Sequence, residues 1–224
     1  MYRVYAVVEG QTERAVFQEV LAPYLADRGI IFCPRVVGKP GHKGGDCKFS
    51  RVLPDICNLL RQENNTFVTT FFDYYALPDD WANRNVSESE SSYNKKAELI
   101  EEGMKKTVLN SLEGLNPARF VPYVQMYELE ALFFSDTIIM GKVLGTDDSV
   151  FQDILNEFAG NCEEINDSRI TAPSKRIIKI VSSYKKGSSV DAHGWRIIKQ
   201  IGIEKIRKRC YRFDAWLSQL EQLK

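Results

Sequence analysis

Hydrophobic and polar positions change their rhythm once along this chain. Up to about residue 126, short β-branched and aromatic runs alternate with segments whose apolar residues recur at helical spacing, and beyond Asp136 only the helical spacing persists. Arg3–Val8 predicts a first strand. Thr12–Asp27 places Val16, Phe17, Val20, Leu21 and Leu25 on one helical face, with Thr12 as N-cap, Gly29 as stop and Pro23 as a kink or early end. Ile30–Val37 predicts a second strand, Ser50–Gln62 a second helix that tolerates Pro54 only near its first turn, and Thr66–Phe72 a third strand ending at Asp73. A loop is expected over 74–92, a polar helix over 95–112, a fourth strand over Phe120–Met126, and a turn into helix near Glu128. Further helices are expected at about 148–159, 173–184, 194–200 and 203–222. This order predicts an α/β fold: a small parallel sheet with helices on both faces over residues 1–140, and a helical region over 141–224 packed on it.

The pattern also places acids. Strand one ends at Glu9, strand three at Asp73, and strand four at Glu128 with Glu130 just beyond. In a parallel sheet those ends share one edge, so carboxylates distant in sequence converge where open α/β sheets bind ligands. One acid at a strand end is ordinary, because acids also cap helix starts. Three such ends raise a repulsion that a divalent cation relieves, and oxygen ligands of this kind suit Mg²⁺ or Mn²⁺. Glu9, Asp73 and Glu128 are therefore the candidate catalytic residues, with Glu130 as a fourth metal ligand. Glu13, in the first helical turn, fits a helix-start acid or a supporting group.

Composition adds limits. The chain is 44% hydrophobic with 30 basic and 30 acidic residues, and no apolar run approaches the roughly 18 residues of a membrane helix. Its first residues lack the pattern of a signal peptide, so a cytoplasmic protein with no membrane association is expected. Five dispersed cysteines without a CxxC pair exclude a zinc ribbon and read as buried thiols. From Arg169 onward 14 Lys and Arg face four acids, so an acidic front precedes a basic back. That division suits a metal site beside a polyanion surface, and equally a solvated Lys-rich tail. Candidate nucleic-acid contacts are Lys39, Lys43 and Lys48 in the Gly-rich loop 38–48, and Lys175 and Arg176 in the Ala172–Arg176 turn. That turn starts a helix, where backbone N–H groups bind an oxyanion or accept a simple cap from Ser174 or Thr171. His42 sits in the same Gly-rich loop, and His193 in Asp191–Trp195 reads as structural. No Walker A sequence is present, so ATP hydrolysis would belong to a partner.

Val8-Glu9-Gly10-Gln11-Thr12-Glu13 resembles the opening motif of TOPRIM-like proteins, which carry a Rossmann-like sheet. Asp73 falls where their second acidic motif ends strand three. The chain also resembles a bacterial family known as a domain of unknown function, DUF4276, through FFDYYALPDDW (71–81), PYVQMYELEALFFSD (122–136), EEINDSRITAPSKRI (163–177) and IGIEKIRKRCYRFDAWL (201–217). The TOPRIM resemblance implies Mg²⁺-dependent phosphoryl transfer on nucleic acid, as in OLD-type nucleases, with Glu9 as the first-motif glutamate and Asp73 as the first acid of the second motif. Where that motif usually ends in a second acid, Tyr75 stands here, and Tyr127 stands where the family tends to have His. The resemblance further implies pairing with an ATPase of the OLD, RecF or ABC-like kind in defence against phage, and a homodimer is compatible with it.

The leading expectation is a Mg²⁺-dependent nuclease acting on DNA or RNA. A catalytically degenerate scaffold or regulator of the ATPase is the alternative, with Tyr211, Phe213, Trp216 and Leu217 as interface anchors or core. A nucleotidyl- or phosphotransferase at the same edge is a third reading.

Overall fold

The computed structural model describes residues 2–38, 47–62, 65–165, 168, 170–184 and 194–223. Five strands, β1 (Tyr2–Val8), β2 (Ile30–Val36), β3 (Thr66–Asp73), β4 (Phe120–Val121) and β5 (Val124–Gln125), form a parallel sheet in the order β2-β1-β3-β4, with β5 also paired to β3. The register sets Val8 beside Val36 and Phe71, and Asp73 beside Gln125. All carboxyl ends thus emerge on one edge. Both faces of β1 and β3 are covered, which is why they read as near-continuous apolar runs.

Alternation along β1 feeds two cores. Val4, Ala6 and Val8 pack with Phe17, Phe71 and the carboxyl-terminal helices, while Tyr5 and Val7 pack with α3 (Phe49–Leu60) and α5 (Tyr93–Ser111). The terminal helices α9 (Trp195–Ile201), α10 (Ile203–Arg209) and α11 (Tyr211–Glu221) therefore share a core with the sheet. Trp216 of α11 fixes them: its ring stacks on Tyr123 at 4.8 Å and its Nε1 donates to Thr69 Oγ1 at 2.7 Å. Phe213, Trp216 and Leu217 are core residues, whereas Tyr211 is 67% exposed.

Prolines account for several departures from the expected elements. The first helix starts one residue early as α1 (Gln11–Val16), capped at Gly10 rather than Thr12, and passes through a π-helical turn (Phe17–Leu21) into α2 (Ala22–Ala26). Pro23 has no N–H for the ladder, and the widened turn, closed by Ala22 N–H to the Phe17 carbonyl, precedes it without ending the helix. Pro54 lies inside α3, beyond its first turn, where a buried stripe of Phe49, Val52, Ile56, Cys57 and Leu60 holds the helix together. Pro122 divides the expected fourth strand into β4 and β5. Thr70 Oγ1 bridges the gap by accepting from Tyr123 N at 2.8 Å and donating to its carbonyl at 2.9 Å.

Burial accounts for the rest. Leu129–Ser135 forms 3-10 turns rather than an α-helix, and every side chain in it is buried, so no polar face exists to sustain amphipathic spacing. Helix α6 (Thr137–Leu144), absent from the expected pattern, follows under an N-cap from Asp136. A short helix α4 (Arg84–Glu88) interrupts the expected loop 74–92. Helices α7 (Ser149–Glu157) and α8 (Pro173–Ile180) follow, and the run expected over 203–222 breaks at Cys210 into α10 and α11. No helix among the described residues is long and apolar enough to cross a membrane. Four cysteines are buried and Cys33 is half-buried, all as free thiols.

Candidate functional site

The strand ends gather their acids in two subsets that meet at Asp73. In the first, Glu9 leaves β1 half-buried, and Gly10 turns the chain into α1 with its N–H donating to Glu13 Oε2 at 2.9 Å. Glu13 thus braces the turn that presents Glu9. Cys47, at the end of the Gly-rich segment, is buried against this group, and its carbonyl is pinned by Trp81 Nε1 at 2.7 Å. Burial pushes the Cys47 thiol well up, and the carboxylates of Glu9, Asp73 and Glu13 push it further. Three acids from β1, α1 and β3 therefore bear on one thiol.

In the second subset, Asp73 Oδ1 accepts from Leu129 N at 2.9 Å, which ties β3 to the 3-10 turns. Glu128 Oε2 accepts from Ser174 N at 2.8 Å, at the start of α8. Glu130 Oε1 accepts from the Tyr184 hydroxyl at 3.2 Å. Burial raises the Tyr184 phenol far above its ordinary range, followed by Glu130, Glu128 and Asp73. Asp73, Glu128 and Glu130 are each at most 3% exposed.

Hard carboxylate oxygens in this number suit a hard divalent cation. Among the described residues, however, no three His, Cys, Asp or Glu side chains are disposed to hold one ion. The arrangement does not fit a closed protein cage. Mg²⁺ differs from a metal held in such a cage: it keeps several waters and is held by one or two carboxylates together with substrate phosphates.

The sequence profile of a family described as a domain of unknown function (DUF4276) matches residues 8–221. The chain belongs to the DUF4276 family. No curated protein and no solved structure matches it. The matched span takes in every acid of both subsets.

The basic candidates of this DUF4276 chain fare unequally. Lys39, Lys43, His42 and His193 lie outside the described residues. Lys48 and Lys175 are exposed. Arg176 pairs with Glu157 at 2.8 Å, donates to the Thr171 carbonyl and lies over the Phe158 ring, so it braces the fold. The α8 N-terminus receives the Glu128 carboxylate instead of a cap from Ser174 or Thr171. In the basic run 205–209 of α10, Lys205 pairs with Asp136, and Arg207 with Asp214 and Glu221. Tyr75 N donates to the Tyr127 carbonyl at 3.3 Å, and the Tyr75 hydroxyl is buried with no hydrogen-bond partner among the described residues.

Cys47 and Tyr184 escaped the sequence reading, since neither has a neighbour in sequence that marks it. Glu163 escaped for the same reason: it is 0% exposed and accepts from the N–H groups of Arg212 and Phe213 at the start of α11.

Proposed function

We propose that this protein is a Mg²⁺-dependent phosphodiesterase acting on DNA or RNA, with Glu9 and Asp73 as the principal metal-holding residues and Glu128 and Glu130 at the flank of the same edge. The observation that carries the reading is the convergence of half-buried Glu9 after β1 with buried Asp73 of β3 and buried Glu128 and Glu130 after β5 on the sheet's carboxyl edge, with Asp73 common to both subsets. Without a cation such a cluster works against folding, which is the expected cost of a functional site. When bound, Mg²⁺ neutralises charge on the scissile phosphate and lowers the pKa of attacking water.

The chain's own residues supply the rest. Glu13 holds the Gly10 turn, and Leu129 N holds one Asp73 oxygen. The kinship with TOPRIM proteins, and the place of this chain as effector beside an OLD, RecF or ABC-like ATPase in phage defence, are part of the same proposal. The sequence itself carries no Walker A motif.

One observation favours a second reading. Asp73, Glu128 and Glu130 each accept a protein hydrogen bond, and no three acids are grouped as ligands among the described residues. A scaffold that has lost turnover would keep such an edge for its architecture. Incubation of the protein with a panel of single- and double-stranded DNA and RNA in Mg²⁺ or Mn²⁺ separates the two. Hydrolysis requires cleavage that disappears in Glu9→Gln and Asp73→Asn, while cleavage unchanged in both variants rules out these residues.

A further inference from the structure

A cavity of about 620 Å³ begins where the metal edge ends. Its wall includes Tyr74 and Tyr75, the two residues that directly follow Asp73, together with Arg84 and Lys96. Both cations are 9% exposed, uncommon for Arg and Lys. Arg84 is oriented by its neighbours: Nε donates to the Leu77 carbonyl at 3.2 Å and Nη1 to the Tyr74 hydroxyl at 2.9 Å, with the guanidinium 4.5 Å from the Tyr74 ring centroid. Lys96 Nζ stands 5.8 Å from the Tyr74 ring and 5.9 Å from the Tyr127 ring. The acids of the same wall, Asp79 and Glu88, are exposed.

We infer that this cavity receives one unstacked nucleotide of a single-stranded nucleic acid, with its phosphate at Arg84 and Lys96 and its base against Tyr75. The choice of a nucleotide rests on the phosphodiester reading. Three features of the cavity favour it independently. The volume matches a small-ligand site and is too small for a duplex. Cations lie deep while acids lie at the surface, so an anion gains more at the floor than it loses at the rim. The Glu88 carboxylate that meets Arg84 Nη2 at 3.0 Å is 56% exposed, so a phosphate that offers two oxygens displaces a weak surface pair.

The test is fluorescence anisotropy of a labelled 12-nucleotide single strand and of its duplex, with the full chain in EDTA so that no cleavage intervenes. Wild type should bind the single strand at least about tenfold tighter than the duplex, and Tyr75→Ala and Lys96→Gln should each weaken that binding about tenfold. Lys96 is buried, so Tyr75→Ala, at a half-exposed position, keeps the test open if Lys96→Gln misfolds, and a thermal melt confirms folding. Equal affinity for duplex, no single-strand binding, or folded variants that bind like wild type each overturn the inference. Single-strand binding retained with cleavage absent even in wild type contradicts hydrolysis alone, and cleavage without pocket-dependent binding contradicts the pocket alone.

Discussion

Glu163 should make this fold less stable as the pH rises from mildly acidic to neutral, and the size of the effect follows from its surroundings. Its carboxyl is fully buried, with Oε2 accepting from Arg212 N at 2.9 Å and Oε1 from Phe213 N at 3.1 Å. Burial nevertheless outweighs these donors and pushes its pKa from 4.5 up to about 7. The folded state therefore holds a proton that the unfolded state releases between pH 4.5 and about 7. Stability from this group is fully present below pH 4.5 and is lost as pH rises through about 7. At about 1.4 kcal/mol per pKa unit, the loss is about 3 kcal/mol. Glu163→Gln removes the linkage and sits about 1 kcal/mol below wild type with Glu163 fully protonated, since an amide serves two N–H donors poorly. Urea unfolding of both proteins at pH 4, 5, 6, 7 and 8 should show wild type the more stable at pH 4 and the variant the more stable at pH 8. Parallel curves across that range refute the reasoning.

Other perturbations test other parts. Trp216→Phe keeps most of the buried ring but loses the hydrogen bond to Thr69, and should lower unfolding free energy by about 1–3 kcal/mol in urea titrations, with no change in the far-ultraviolet spectrum. Gly103→Ala places a methyl group 2.8 Å from both Cβ and the carbonyl oxygen of Ala82, and a cost of about 1–3 kcal/mol is expected in thermal unfolding. Saturating Mg²⁺ at about a hundred times its Kd should stabilise wild type by about 2.7 kcal/mol and leave Asp73→Asn unmoved, as read by differential scanning calorimetry.

The parallel sheet was legible because its strands are buried on both faces and its helices on one, so period and composition agree. The acids at the ends of β1 and β3 were legible for the same reason, since a strand end is a position in space as well as in sequence. Glu128 was placed less well: Pro122 split its strand, and Glu128 lies three residues beyond β5, held by Ser174 from a distant helix. Leu129–Ser135 and the break at Cys210 left no readable trace, because a fully buried segment has no polar face and a helix break supported by Glu163 depends on a residue some 50 positions away. Arg84 and Lys96 lie in segments that read in sequence only as a loop and a polar helix, and the tertiary fold brings them beside Tyr74 and its cavity.

Saturable binding of Mn²⁺, followed by electron paramagnetic resonance, bears most directly on the central claim. If Glu9 and Asp73 hold a hard divalent cation, wild type binds Mn²⁺ in a way that Mg²⁺ competes away, and folded Glu9→Gln and Asp73→Asn lose that binding. Wild type that leaves all the Mn²⁺ free, or variants that bind it equally well, would contradict the claim.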